Sequence, residues 1–296
     1  MKSIVQHLHS LGVIKPPSFV IGGIQYETIT GSEAYGVSTD NSDKDIFGFC
    51  IPPKNYVFPH LDGKIIGFSS NVKTFEQFQQ HHIKCDNKEY DITIYGIVKY
   101  FKLLMENNPN IIDSIFTREE SCIYKTKIAD MVRDNTKLFL SRKLWHSFKG
   151  YAYSQLHKLE IKNPDPTSNR YWMYEKYGYD VKFAYHVVRL INEAEQLLTT
   201  GDMDIQRDNE VLKSIRRGEW KLEDIRNWFA DREIRFQSLY ENSCLPYCPD
   251  EDRILRLLYE CLEEYYGNLD QCIQNRDYYR DMIIKIKDIT DNIIIK

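Results

Sequence analysis

Asp43 and Asp45, two aspartates separated by one residue, are the side chains in this sequence best placed to do chemistry. They follow a polar turn at residues 38–42 and open an apolar segment, residues 43–52, that predicts a β-strand. Because side chains alternate along a strand, both carboxylates are expected on one face of the sheet. Such a pair favours Mg²⁺, which proteins usually hold with one or two carboxylates and the phosphates of a substrate.

A small-residue turn precedes the two aspartates. Residues 20–30 are rich in β-branched side chains and predict a strand, so Gly31 and Ser32 fall at its end. Backbone N–H groups at that position can face a phosphate, and the Ser32 hydroxyl adds a donor. The stretch therefore predicts a nucleotide site, with phosphate contacts at Gly31 and Ser32 beside the metal-binding carboxylates.

Two other phosphate or metal motifs fit this stretch less well. The spacing of Gly31 and Gly36 lacks the Lys and Ser or Thr that complete an ATP-binding P-loop. A calcium loop starting at Asp43 would have Phe47 where an oxygen ligand is needed and Lys54 in place of the closing glutamate. The alternative left open is an ordinary turn with solvated aspartates.

A third carboxylate, Asp91, lies in a segment that alternates from residue 88 to residue 95 and predicts another strand. Alternation places Asp91 on the face opposite Ile92 and Ile94. Three carboxylates could hold two metals about 3.5–4 Å apart, which clamp the attacking and leaving oxygens of a phosphoryl displacement. A surface aspartate on an edge strand is the alternative.

Residues 180–199 predict an amphipathic helix with cations on one face. Lys182, His186 and Arg189 recur at intervals of four and three residues, so they are expected to point together. A cationic stripe facing a cleft could bind a triphosphate and offset the charge of the leaving pyrophosphate. A solvated polar face would give the same pattern.

Basic and aromatic side chains are concentrated in residues 141–190, which contain nine Lys and Arg, four Asp and Glu, and eleven aromatic residues. Phosphate contact combined with base stacking requires this mixture, so the stretch could guide a nucleic-acid acceptor. Helices with packed rings and solvated cations are the alternative.

The motif GSEAYGVSTDNSDKDIFG, residues 31–48, resembles the signature of the DNA polymerase β nucleotidyltransferase superfamily, in particular its RNA-repair branch. Similarity extends to residues 99–116, 148–159, 182–201 and 212–229. The resemblance implies a palm-like catalytic fold and an RNA 3′ end as acceptor, such as a damaged tRNA.

The same resemblance implies roles for the site residues. Asp43 and Asp45 would bind Mg²⁺ (or Mn²⁺) and the nucleotide phosphates. Asp91 would accept the proton of the attacking hydroxyl or hold the catalytic metal. Lys182, His186 and Arg189 would neutralise the triphosphate of an NTP.

The predicted fold is α+β. Residues 1–120 are expected to form the catalytic domain, a small mixed sheet with helices resembling the polymerase β palm. Residues 121–296 show mainly helical periodicity and predict an α-helical domain that contributes nucleotide and acceptor contacts. The active site is expected between the two domains.

Composition is that of a globular protein, with 42% hydrophobic residues and a net charge of −4. The apolar runs are too short to span a bilayer, and the N-terminus lacks the apolar core of a signal peptide. Seven scattered cysteines without a CxxC pair favour reduced thiols in the cytoplasm. His81, His82 and Cys85 match no standard zinc spacing, and the oligomeric state stays open.

These observations predict an enzyme that transfers NMP from an NTP to an acceptor hydroxyl, with an RNA 3′ end in RNA repair as the expected acceptor. One alternative is nucleotidyl transfer to a protein or small molecule by the same chemistry. Another is a non-enzymatic sensor of nucleotide or RNA, which the intact acidic set disfavours.

Overall fold

A five-stranded mixed sheet forms the first part of the molecule. The computed structural model describes residues 2–39, 42–68, 72, 74–160, 165–168, 170–273, 282–283, 285–287 and 289–290. The strands are β1 (Ile24–Thr30), β2 (Lys44–Cys50), β3 (Gln77–Cys85), β4 (Lys88–Gly96) and β5 (Cys122–Lys125). Their order is β3-β4-β2-β1-β5, in which β2 and β4 run parallel and the other neighbours are antiparallel. The small mixed sheet is thus confirmed.

Helices surround and follow the sheet, so the fold is α+β as predicted. The α-helices are α1 (Ile4–Ser10), α2 (Ser18–Gly23), α3 (Gly31–Ala34), α4 (Lys54–Val57), α5 (Ile97–Met105), α6 (Pro109–Phe116), α7 (Lys127–Asp134), α8 (Thr136–Phe139), α9 (Lys143–Leu159), α10 (Tyr171–Tyr177), α11 (Val181–Thr200), α12 (Asn209–Arg216), α13 (Leu222–Asn242), α14 (Glu251–Tyr266) and α15 (Asp270–Ile273). Short 3-10 helices occupy Pro59–Asp62 and Glu119–Ser121.

Two helices that border the site begin where their capping residues predict. The Asn108 side chain accepts a hydrogen bond from the backbone N–H of Ile111, and Pro109 stands at the first helical position of α6. Asp180 caps α11 by accepting from the N–H of Lys182 at 2.8 Å. The helix then ends at Gly201, whose φ of +66° suits a left-handed cap.

Two predicted strands are shorter in the structure. The first was expected to start at Val20, but Val20 lies in α2 and is buried in the core formed by α1 and one face of the sheet. Tertiary packing therefore overrides its preference for strands. The second strand begins at Lys44, so Asp43 lies just before it. Asp40 and Asn41 of the predicted turn lie outside the described residues.

The two faces of the sheet pack against different partners. Ile46 and Ile92 face α1 and α2 and share a core with Val5 and Leu8. The opposite face carries Phe49 and packs into a second core. Because side chains alternate, Asp45 lies on the same face as Phe49, at the end of the strand where the helices leave the sheet open.

The second core extends from β1 to α15. It joins Tyr26 and Phe49 of the sheet to α9 and α11, and it continues to Cys272. The edge strand β5 lies beyond residue 120. A division into domains at that residue stays a prediction.

Candidate functional site

One cleft brings together every residue that the sequence predicted for the site. It has a volume of about 440 Å³ and lies between the sheet and helices α10, α11 and α12. A volume of this size is typical of small-molecule sites. Its walls include all eight predicted residues: Gly31, Ser32, Asp43, Asp45, Asp91, Lys182, His186 and Arg189.

The three carboxylates lie at the same end of the parallel strand pair. Asp45 of β2 stands directly opposite Asp91 of β4 in the ladder, and the exposed Asp43 precedes β2. Burial raises the pKa of Asp45 to about 6; Lys182 opposes that rise, whereas the charges of Asp91 and Asp43 add to it. The carboxylate pair thus carries negative charge that a cation would stabilise.

The turn after β1 approaches this carboxylate closely. Gly31 has a φ of +65°, and a Cβ added there would lie 2.0 Å from Oδ2 of Asp45. Only glycine satisfies both the left-handed backbone and the contact. The neighbouring Ser32 is half-buried, and its hydroxyl has no hydrogen-bond partner among the described residues, so it is available to a ligand.

Asp91 is held by an irregularity of the neighbouring strand β3. The pairing of Gln80 with Ile92 and of Ile83 with Tyr90 leaves His81 and His82 together opposite Asp91, which is a β-bulge. The N–H of His82 donates to Oδ1 of Asp91 at 2.7 Å. Nδ1 of His81 lies 3.1 Å from Oδ2. Both oxygens of this carboxylate therefore have protein partners.

Arg189 does not extend a free charge into the cleft, contrary to the predicted cationic stripe. Its side chain is only 2% exposed and pairs with Asp113 of α6 and with Glu193, whose Oε1 lies 3.1 Å away. The Tyr35 hydroxyl accepts from Arg189 at 2.7 Å and donates to Asp113. Internal carboxylates thus compensate the guanidinium, and binding of the triphosphate by Arg189 stays a prediction.

His186 and Lys182 differ from each other as well. The pKa of His186 lies well below its usual value, chiefly because of burial and also because of the positive charges of Arg189 and Lys182. The ring is therefore neutral at pH 7, and its buried Nδ1 has no partner within the described part of the chain. Lys182 is exposed and has no ion-pair partner in that part. Of the three predicted cations, only Lys182 presents an exposed charge at the cleft that is not held in an ion pair within the described residues; it also lowers the pKa of Asp45.

The cleft is also lined by cationic and aromatic residues that were not part of the predicted site. Arg216 at the end of α12 is half-buried and donates to the backbone oxygen of Val37. Arg170 and Trp172 border the cleft at the start of α10. Similarity of residues 212–229 to the family hinted at Arg216, whereas the basic and aromatic content of residues 141–190 hinted at Arg170 and Trp172.

Much of that basic and aromatic stretch serves packing. Trp145 and Phe148 are buried in the second core. Lys149 pairs with Glu233 at 2.5 Å, and the Tyr153 hydroxyl donates to the same carboxylate at 2.8 Å. Only part of the stretch therefore reaches the cleft.

A divalent metal fits the carboxylate pair when a substrate supplies the remaining ligands. Within the described residues, no group of three or more His, Cys, Asp and Glu side chains is arranged to hold a metal ion by itself. Asp43 and Asp45 nevertheless match the habit of Mg²⁺, which takes one or two carboxylates together with substrate phosphates. Burial raises the pKa of Asp45, and the charges of Asp91 and Asp43 add to that rise, so a cation between these carboxylates would be stabilising.

Comparison with known proteins identifies the family. The pattern of the RNA repair pathway DNA polymerase beta family matches residues 6–224, more than half of the chain. The chain belongs to this family.

Two individual proteins are similar at lower levels. An uncharacterized 38.9 kDa protein of the nrdC–mobD intergenic region of Enterobacteria phage T4 is 24% identical over 209 residues, which cover 69% of this chain and 52% of that protein. The chain thus spans about half the length of this relative. A nucleotidyltransferase-like protein from Exiguobacterium sibiricum 255-15 aligns with a TM-score of 0.29 and 10% identity, over 79% of this chain and 73% of that one.

Among the residues that the structure describes, no helix combines the length and the apolar character that crossing a membrane requires.

Proposed function

We propose that the protein is a metal-dependent nucleotidyltransferase that transfers NMP from an NTP to the 3′ hydroxyl of an RNA, such as a damaged tRNA. The observation that carries this proposal is the register of β2 and β4, which sets Asp45 opposite Asp91 in a cleft that also contains Lys182. Membership of an RNA-repair family supports RNA as the acceptor. The free cysteines agree with a cytoplasmic protein.

The nucleotide would lie between the strand ends and α11. Asp43 and Asp45 would hold the metal, and the turn at Gly31 and Ser32 would contact the outer phosphates. Lys182 supplies the exposed charge of the α11 wall, whereas neutral His186 would act as a hydrogen-bond partner. Arg189 forms ion pairs with Asp113 and Glu193, and it would stabilise the packing beneath the cleft. Bound Mg²⁺ or Mn²⁺ would stabilise negative charge on the reacting phosphate.

Arg216 would complete the phosphate contacts from α12. It lines the cleft and has no carboxylate partner in the described part of the chain. A guanidinium can bind phosphate oxygens in a bidentate manner, which a lysine cannot.

The transfer forms one bond and breaks one. The acceptor oxygen attacks the α-phosphorus, the bond from that phosphorus to the pyrophosphate oxygen breaks, and pyrophosphate leaves. Asp91 would accept the hydroxyl proton, because its position beside Asp45 places a carboxylate next to the reacting phosphate. Lys182 and Arg216 would offset the charge that develops on pyrophosphate.

The acceptor would enter along α10. Arg170 can contact a backbone phosphate, and Trp172, which is 49% exposed, can stack on a base. In the proposed division, residues 1–120 supply the metal site and residues 121–296 supply this wall.

A transfer assay tests the proposal. Purified protein is incubated with each α-labelled NTP, total RNA and Mg²⁺ or Mn²⁺, and the label is followed after separation of RNA, protein and small molecules. We expect label in RNA with intact protein and none with Asp43→Ala/Asp45→Ala. Asp252→Ala, which removes an exposed carboxylate of α14, is the matched control and should retain full activity.

The location of the label decides among the alternatives. Label in protein or in a small molecule would show that this molecule, and not RNA, is the acceptor of the same nucleotidyl transfer. Nucleotide binding without transfer of any label would favour a sensor over an enzyme.

A further inference from the structure

The bulge in β3 is centred on a single residue of β4. Between the pairs Gln80–Ile92 and Ile83–Tyr90, two residues of β3 oppose only Asp91. The second of them, His82, has a φ of +55°, a conformation that costs a residue with a Cβ some free energy. Bulges beside active sites often reorient side chains, so the contacts that this bulge makes with Asp91 are expected to have a function.

The bulge directs two donors at one carboxylate. The backbone N–H of His82 reaches Oδ1 of Asp91 at 2.7 Å, and the left-handed turn is what presents that N–H. The ring of His81 approaches Oδ2 through Nδ1 at 3.1 Å. Both oxygens of Asp91 therefore have a partner on the β3 side, while Asp45 lies on its other side, in the neighbouring strand β2.

A line of side chains along β3 fixes the orientation of His81. The amide of Gln77 donates to Oε1 of Gln79 at 2.9 Å. The amide nitrogen of Gln79 then lies 2.7 Å from Nε2 of His81 and donates to it. With Nε2 accepting, a hydrogen of the ring is on Nδ1, the nitrogen that lies 3.1 Å from Oδ2 of Asp91.

We propose that the His81–His82 bulge withholds Asp91 from the metal in the nucleotide-free protein, with His81 as the positioning residue. This inference rests on the proposed metal role of Asp43 and Asp45. It accounts for a cleft with three carboxylates in which the described side chains form no three-ligand metal group. A substrate that displaces His81 would release Asp91 toward the reacting phosphate.

The substitution His81→Ala frees Oδ2 of Asp91 beside Asp45. A carboxylate oxygen without a protein partner is a better metal ligand, so the nucleotide-free protein should bind Mn²⁺ about tenfold more tightly, the scale of effects from residues that orient metal ligands. Binding is measured on the full chain from the electron paramagnetic resonance signal of free Mn²⁺, without any activity readout.

Three further variants separate this role from a structural one. His81→Asn, with an amide near the position of Nδ1, should restore the wild-type affinity. His81→Ala/Asp91→Asn should lose the gain, because no carboxylate is released. His60→Ala removes an exposed imidazole from another part of the chain and should leave Mn²⁺ affinity unchanged.

The outcomes are distinct. Unchanged or weaker Mn²⁺ binding in His81→Ala, while the wild-type binding still depends on Asp43 and Asp45, overturns the role of the bulge alone. A gain that persists in His81→Ala/Asp91→Asn overturns it as well. Wild-type Mn²⁺ binding that survives Asp43→Ala/Asp45→Ala counts instead against the proposed metal site.

Discussion

The two walls of the cleft present their charges in opposite ways. On the strand wall, Asp43 and Asp45 reach the cleft with little compensation, and burial raises the pKa of Asp45 to about 6. On the helix wall, Arg189 is neutralised inside the protein and His186 is uncharged. Only Lys182 of the predicted stripe keeps its charge available to a ligand.

The difference follows from how each element is packed. The end of β2 is covered on one face and open on the other, so alternation alone decides which side chains reach the cleft. Helix α11 packs against α9, α12 and α13, and fourteen of its 20 residues are buried. Helical spacing therefore does not separate a cation that faces the cleft from one that faces a buried carboxylate.

The largest expected effect is on the strand wall. Asp43→Ala/Asp45→Ala should reduce transfer by about 10³-fold or more, because the metal supplies several kcal/mol of charge stabilisation. Stability to urea should not fall, since the change removes clustered negative charge. Transfer that survives the double substitution would remove the strand wall from the chemistry.

A buried ion pair makes the helix wall the more sensitive one for stability. Arg189→Met leaves Asp113 and Glu193 without their partner, and breaking such a pair costs about 3–5 kcal/mol. The matched substitution Lys182→Met, at an exposed position of the same helix, should change the free energy of unfolding by about 0.5 kcal/mol or less. Urea denaturation measures the free energy of unfolding of both variants. Equal losses in the two variants would contradict the expected difference between a buried and an exposed cation.

The pKa of Asp45 predicts that replacing this residue stabilises the protein at neutral pH but not at low pH. Because its pKa is about 6 in the folded protein and 3.8 is the ordinary value, the wild type loses stability as pH rises from about 4 to about 6. Asp45→Asn removes that loss, so in EDTA it should be more stable than the wild type by about 1–3 kcal/mol at pH 7.5. Near pH 4 the difference should disappear. Urea unfolding that shows a less stable variant at pH 7.5 would contradict this electrostatic account.

The smallest expected effect concerns nucleotide affinity. Lys182→Ala and Arg216→Ala should each raise KM for the NTP about tenfold, the value of one charge-assisted contact. Arg217→Ala is the control, because Arg217 pairs with Glu219 outside the cleft. Steady-state kinetics that show equal KM changes for Arg216→Ala and Arg217→Ala would exclude Arg216 from the phosphate site.

The sequence predicts the strand wall well because its signals are local. The small-residue turn and the apolar strand after it bring Gly31, Asp43 and Asp45 close together, and alternation gives the face on which Asp91 lies. The register that sets Asp91 opposite Asp45 is a long-range pairing. The start of α11 is also local: the sequence predicts a helix over residues 180–199, and in the structure Asp180 caps it.

Long-range pairing explains what the sequence pattern missed. Arg189 meets Asp113 across 76 positions of sequence, and no local period contains that contact. The extra residue in β3 is likewise invisible until the pairing with β4 is known, so the sequence does not show that His81 and His82 are partners of Asp91. Arg216 joins the cleft only through the packing of α12 against α11.

The most direct test of the central claim is a crystal structure of the protein with Mn²⁺ and an NTP analogue that resists cleavage between the α- and β-phosphates. The account predicts an anomalous Mn²⁺ peak between the Asp43 and Asp45 carboxylates, with the triphosphate against Ser32 and Lys182. A metal and nucleotide bound elsewhere, with this carboxylate pair unliganded, would contradict it.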